Sequence, residues 1–350
     1  MLASETTKAP ILEIDLSRQF TAWLAEQNLS IAFTTYQVGK LCLIGLNANR
    51  ELSVSERSFN RCMGLCTTGN GFYMSSLYQI WRFENMLESG QRQSGYDRLY
   101  VPQLGYTTGD LDVHDMAIDK QGTLIFVNTL FSCLATLSNT HSFKPIWKPS
   151  FISKLAAEDR CHLNGLAMQN GLPAYVTAIG QSDMVDGWRS HRMGGGIVID
   201  VRSNEIICDG LSMPHSPRWY QEKLWLLNSG TGEFGFVDPK IGRFESLCFC
   251  PGYARGLSFH GNYALIGLSK PRTDKTFKDL PLDAQFKKRN VEPRCGILII
   301  NLCSGDIVHW FRMDGIVTEL YDVITLPNVN QPMALGFKTD EIRRMISIEQ

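Results

Sequence analysis

The sequence predicts an all-β fold: a β-propeller of six four-stranded blades, with seven as the alternative count. Three observations carry that expectation. Six short stretches begin alike at intervals of roughly 40–50 residues, the signature of a propeller or solenoid. They are Cys62-Met63-Gly64-Leu65, His114-Asp115-Met116-Ala117, Asn164-Gly165-Leu166-Ala167, His215-Ser216-Pro217-Arg218, Arg255-Gly256-Leu257-Ser258 and Tyr321-Asp322-Val323-Ile324. Each opens a run of period-2 alternation broken by Gly, Asn or Asp turns, which reads as antiparallel hairpins. Several units then close on a polar turn between their third and fourth strands, as in VDPKIGRFESL, IDVRSNEIICD and INLCSGDIVHW. Such units repeated around an axis make four-stranded blades.

Taken in order, residues 11–27 carry apolar side chains at helical spacing, so a helix is expected within an N-terminal extension of residues 1–29. Residues 30–345 form the single propeller domain. The strands of 30–59 (SIAFTTYQ, KLCLIGLN, ELSVSERSF) lack an innermost partner, whereas 316–337 supplies inner strands without an outer pair. Both termini are therefore expected to build one composite blade, which removes an open sheet edge. The clearest complete unit is 113–138, followed by units opening at NGLAMQ, PRWYQEKLWLLN and GLSFHGNYALIGLSK. Three insertions break the spacing: 88–110 between the first and second full units, and 181–194 and 270–294 between second and third strands. In a propeller that last connection lies on the face where the innermost strands begin.

Composition removes several function classes. Among 350 residues the formal net charge is −1, so no general attraction for nucleic acid or an anionic membrane is expected. No apolar run reaches the roughly 18 residues of a membrane span. The N-terminus MLASETTKAPILEIDLSRQF is acidic and lacks the apolar core of a signal peptide. The ten cysteines sit mostly in apolar strand-like runs. A cytoplasmic protein with reduced thiols is the expectation. Cys62-x3-Cys66 and Cys248-x-Cys250 are poor zinc spacings. There is no P-loop, dinucleotide fingerprint, G-x-S-x-G or H-E-x-x-H, so no nucleotide cofactor is expected.

The repeat itself points to a site. If its first positions recur at one height around an axis, His114, Asn164, His215, Arg255 and Tyr321 converge, with His162 two residues ahead of Asn164. His114, His162 and His215 are the expected ligands if one divalent metal ion is bound, because neutral imidazole is a common metal ligand and three nitrogens leave a position open. Without metal, a histidine serves as general base and Tyr321 as acid. Arg255 stays protonated, and its planar fork suits a carboxylate or phosphate. Arg61, Asn164, Arg255 and Trp188 are the candidate substrate-binding residues, Trp188 lying in an insertion that reads as a lid or partner loop. Each histidine taken singly reads more readily as a core residue bonded to neighbouring backbone; the shared register brings the site reading level with that one. The polar ends of the second strands (Asn128-Thr129, Thr177-Ala178, Asn228-Ser229-Gly230, Leu268-Ser269) either line the funnel or cap turns. The readings open at this point are an enzyme, a lyase or hydrolase acting on a small or peptidyl anionic substrate, and a non-catalytic module binding a protein or glycan.

The stretches FTTYQVGKLCLIGLN (33–47), DVHDMAIDKQGTLIFVNTLFSCLATL (112–137), LNGLAM (163–168) and PHSPRWYQEKLWLLNSGTGEFGFVDPKIGRFE (214–245) resemble a bacterial family of conserved hypothetical proteins. That family is described as a domain of unknown function and as propeller-like. The resemblance covers nearly the whole chain and implies one full-length propeller, with no established activity to carry over. More loosely, the chain is similar to gluconolactonase/senescence-marker and virginiamycin B lyase propellers, which implies a divalent metal on the axis. The Glu/Asn/Asp ligand set typical of the former is not found here.

Overall fold

The computed structural model describes residues 12–271 and 278–348, and it is a ring of six blades. Blade 1 is composite. Its innermost strand, Val323–Pro327, comes from the C-terminal part of the chain and pairs with Leu29–Thr35, followed outward by Lys40–Leu46 and Leu52–Ser58. Blade 2 runs outward through Leu65–Thr67, Gly71–Ser75, Gln79–Asn85 and Arg98–Thr107, and a short parallel strand, Pro332–Ala334, joins its edge. Blade 3 comprises Val113–Ile118, Leu124–Asn128, Cys133–Thr136 and Lys144–Trp147; blade 4 comprises Leu163–Gln169, Leu172–Ala178, Gly196–Asp200 and Glu205–Leu211. Blade 5 is Pro214–Tyr220, Lys223–Asn228, Glu233–Asp238 and Arg243–Phe249; blade 6 is Tyr253–His260, Tyr263–Ser269, Gly296–Asn301 and Ile307–Asp314. Closure by both termini leaves the ring without the free inner edge that invites pairing with other chains.

Three expectations are corrected. Residues 11–27 are not one helix: Glu13–Leu16 is a fifth strand on blade 6, pairing Glu13 with Asp314 and Leu16 with Phe311, and the helix runs only over Phe20–Gln27. Residue 11 lies outside the described residues. Alternating exposure along EIDL turns Ile14 and Leu16 onto the core, whereas Phe20, Trp23 and Leu24 bury one helical face. Of the expected insertion 88–110, Arg98–Thr107 is the fourth strand of blade 2. The first repeat is also shifted by one residue. Ser75 pairs with both Met63 and Gly64, just as Thr34 pairs with both Tyr321 and Asp322. Met63, not Cys62, is thus the equivalent of Tyr321.

Two devices join neighbouring blades near the axis. At or beside the end of each second strand stands a Ser or Thr, and in five blades its hydroxyl donates to a backbone carbonyl of the next blade. Thr34 reaches Met63 O (2.6 Å), Ser75 reaches Val113 O (3.0 Å) and Thr129 reaches Leu163 O (2.7 Å). Ser229 reaches Ala254 O (2.6 Å) and Ser269 reaches Leu320 O (2.9 Å). These hydroxyls are clasps, not funnel lining.

The second device alternates around the ring at the residue after the axial position. In odd blades a side-chain oxygen accepts a backbone N–H of the next blade: Asp322 from Leu65 (2.8 Å), Asp115 from Leu166 (2.9 Å) and Ser216 from Gly256 (3.1 Å). Even blades carry Gly64, Gly165 and Gly256 there. A Cβ on Gly165 would stand 2.2 Å from Pro217 Cδ, and one on Gly256 would stand 2.6 Å from Val323 N, so these two contacts exclude a side chain.

Replacing Ser229 by Ala leaves the buried Ala254 carbonyl without its donor. The expected cost is about 1–3 kcal/mol in chemical denaturation, whereas Ser304→Ala in an exposed turn should stay within about 0.5 kcal/mol. Equal effects would show that the clasp contributes nothing.

Candidate functional site

The inner strands do not enter the channel as regular strands. In blades 3 to 6 the pairing with the second strand slips near its start, between Asn128 and Phe126, Leu163 and Gly165, His215 and Arg218, and Arg255 and Leu257. A bulge of this kind re-aims a side chain. Three levels of residues result. The axial level holds Met63, His114, Asn164, His215, Arg255 and Tyr321. Two residues earlier lies a rim of Arg61, Asp112, His162, Met213, Tyr253 and Glu319. One residue later lies the floor of glycines, Asp115, Ser216 and Asp322. Four rim residues are non-glycines in the left-handed region: Arg61 (φ 50°), Asp112 (52°), His162 (49°) and Met213 (50°). Such conformations cost of order 1–3 kcal/mol each and gather at functional sites.

His114, Asp115, Asn164, His215, Ser216, Arg255, Tyr321 and Asp322 line one cavity of about 10 Å³, close to the room one water needs. All five axial residues singled out from the repeat therefore meet. Hydrogen bonds fix the imidazole tautomers. His114 Nδ1 is 2.8 Å from Asp112 O, and His215 Nδ1 is 2.8 Å from Met213 O. A carbonyl only accepts, so both Nδ1 atoms carry the proton and both Nε2 atoms offer lone pairs. Burial pushes His114 down to about 4 and His215 well below its ordinary range, with the Arg255 cation opposing protonation of both. Both are neutral at pH 7. Asn164 is oriented too: Thr177 Oγ1 donates to its Oδ1 at 2.7 Å, which turns Nδ2 the other way. Burial raises the Tyr321 hydroxyl well above its ordinary range, so it keeps its proton. Arg255 lies against the Tyr253 and Tyr321 rings, 5.2 and 5.0 Å from their centroids.

The floor was not legible beforehand. Arg218 grips Asp115 through two bonds of 2.7 and 3.0 Å. Asp322, buried near that pair, accepts the Leu65 and Val323 backbone N–H groups, and burial raises its carboxyl to about 7. The one available signal was the repeat's second position.

The remaining candidates stand outside the cavity. Arg61 is on the rim, bonded to Asp110 and 3.9 Å from Asp112. His162 also belongs to the rim: its Nδ1 lies 2.8 Å from Asp159, and its ring meets His114 edge-on at 4.8 Å. Trp188 is not an exposed lid residue but is 2% exposed, its ring 4.2 Å from His162. It packs with Met213, Tyr253, Leu280, Leu282 and Phe286, so the insertions 181–194 and 278–291 form one cap beside the mouth. A metal ion does not fit the histidines: among the described residues no group of three or more His, Cys, Asp or Glu side chains is placed to hold one. His162 does not line the cavity of the other two, and Arg255 shares it with them.

Fold and cavity together define a six-bladed propeller with a polar axial site. The chain belongs to the family described as a domain of unknown function (DUF4915), matched over residues 18–335. No curated protein matches it. Among solved structures, a chain of a nidogen/laminin complex is similar at 13% identity and a TM-score of 0.51, covering 86% of this chain and 99% of that one. A catalytically inactive virginiamycin B lyase from Staphylococcus aureus, solved with quinupristin, is similar at 9% identity and a TM-score of 0.41, covering 87% and 99%. These likenesses concern the fold. Among the described residues no helix is long and apolar enough to cross a membrane.

The site sets a pH dependence with two opposing parts. Unfolded imidazoles bind protons near 6.5 while folded His114 resists to about 4. Its contribution, about 3 kcal/mol, is whole above pH 6.5 and lost as pH falls towards 4. Asp322 acts the other way: it keeps its proton to about pH 7 folded but only to 3.8 unfolded, so its contribution is present in acid and lost on raising the pH. Asp322→Asn removes the second part alone. Its Tm, followed by differential scanning fluorimetry, should fall more between pH 7 and pH 4 than that of the parent; parallel curves would refute the assignment.

Proposed function

We propose that the protein is an acid–base enzyme, a lyase or hydrolase, acting on a small or peptidyl anionic substrate held on the propeller axis. One observation carries this reading. His215 Nε2, Asn164 Nδ2 and Tyr321 Oη are buried, make no hydrogen bond, and belong to side chains lining the same cavity. Each such group costs roughly 1–3 kcal/mol while it lacks a partner, and three in one place are the mark of a ligand site. Arg255 then holds the substrate's anionic group, with Asn164 Nδ2 and the Tyr321 hydroxyl as further donors. His215 Nε2, or His114 Nε2 across the cavity, takes a proton as general base, and Tyr321 gives one to the leaving group. The low proton affinity of both imidazoles keeps them unprotonated, and so able to accept, at neutral pH. No step here uses a metal, because the donor set does not fit one.

In this reading Arg61 acts at the mouth by charge and Trp188 through His162, whose ring lies 4.2 Å from its own. The second reading, a non-catalytic binding module, is favoured by Met184, Val185 and Met193, which are exposed on the insertion carrying Trp188.

Calorimetric titration with acetate and inorganic phosphate separates the readings. The axial site predicts binding to the parent and at least tenfold weaker binding to Arg255→Gln, the loss expected for one charge-assisted contact. Binding of neither anion, or binding unaffected by Arg255→Gln, would overturn the axial-substrate reading.

A further inference from the structure

We infer that the axial ligand is a zwitterion, a small α-amino acid whose carboxylate lies on Arg255 and whose ammonium faces His114, His215 and Asp322. The inference rests on the axial cavity being the substrate site, and it names the class of molecule from the order of donors and acceptors around the ring.

The cavity wall is divided. Blade 6 brings the Arg255 cation, and its neighbour blade 1 brings the Tyr321 hydroxyl; both donate. Blades 3 and 5 bring the Nε2 lone pairs of His114 and His215, which accept because each Nδ1 proton is committed to a backbone carbonyl. Between them blade 4 brings Nδ2 of Asn164, a donor whose direction Thr177 sets. The floor adds two carboxylates, Asp115 and Asp322, against one cation, Arg218. Arg218 spends both its Nη atoms on Asp115. Asp322 is thus left as a buried carboxyl bonded to the Leu65 and Val323 backbone N–H groups.

A simple anion answers only half of this wall. It satisfies Arg255, Tyr321 and Asn164 but sets negative charge against two lone pairs and a carboxyl group. A hydroxy acid adds one hydrogen and serves one imidazole. An ammonium group adds three hydrogens, which matches two imidazoles and Asp322. Its positive charge also faces the Asp322 carboxyl, so burial costs less than for either ion alone. The small cavity, about 10 Å³, restricts the class to compact members.

The test is isothermal titration calorimetry at pH 7.5 with matched probes: L-alanine, L-lactate and propionate, which differ only in the group on the second carbon, and glycine against acetate. L-alanine or glycine should bind at least tenfold more tightly than its partners without nitrogen. Asp322→Asn should bring L-alanine to within about threefold of propionate without weakening propionate binding. Should that variant not fold, His215→Phe, which removes one acceptor, should narrow the same ratio. If lactate or propionate binds as well as L-alanine, and all depend on Arg255, the zwitterion is wrong while the anion site stands. If no probe binds the parent, both fall.

Discussion

The structure depends on a hydroxyl at the end of each second strand. A propeller closes only if every inner strand holds its neighbour at a fixed distance, and the inner strand's own ladder partners lie within its blade. Something must therefore cross between blades. Here it is a Ser or Thr side chain bonded to a buried carbonyl, repeated in five of the six blades. Between alternate pairs a carboxylate or hydroxyl oxygen takes a backbone N–H as well; in the pairs between, a glycine lets the next strand approach directly. The floor of the channel is thus a continuous belt, half hydrogen bonds and half close packing, and it fixes the height of the axial residues one step above it.

The exception is where the site is. In blade 4 the equivalent hydroxyl, Thr177, does not cross to blade 5 but turns back to hold the Asn164 amide. Blades 4 and 5 are joined instead by Gly165 against Pro217 and by Arg218, which reaches Leu166 O at 3.2 Å. A clasp given up for a side-chain orientation is a local rule broken, and such breaks are expected at functional sites rather than in scaffolding. The left-handed rim residues are a second departure of this kind, on the same face. Structural and functional tasks are separated by level: the floor holds the ring, and the level above is left with unmade hydrogen bonds.

The sequence carried the blades, the composite closure and five of the six axial side chains, because all of these follow from period and from strand alternation. It misplaced the first repeat by one residue, since a short inner strand with a glycine has no alternation to set its register. Residues 12–24 satisfy both a period of two and a helical period, so the strand Glu13–Leu16 hid inside an apparent helix. The clasps went unread for a different reason: a lone Ser or Thr at a strand end looks the same whether it caps a turn or crosses to another blade. The Asp115–Arg218 pair spans 103 residues, beyond any local pattern. His162 was grouped with His114 and His215 by residue type, although two residues along an inner strand is a full level in space. Trp188 was read as part of a lid or partner loop because it lies in an insertion, yet a large apolar ring beside a polar mouth gains more by covering it.

That last point bears on how the site can work. Connections between second and third strands emerge at the end where inner strands begin, so an insertion there leans over the axis when its apolar side chains find a partner. Two insertions do so together, one giving Trp188 and the other Leu280, Leu282 and Phe286. Trp188 contacts His162, and His162 contacts His114, so the cap reaches the axial level through a chain of three rings. Excluding water strengthens every electrostatic contact inside the cavity, and it keeps both axial imidazoles neutral.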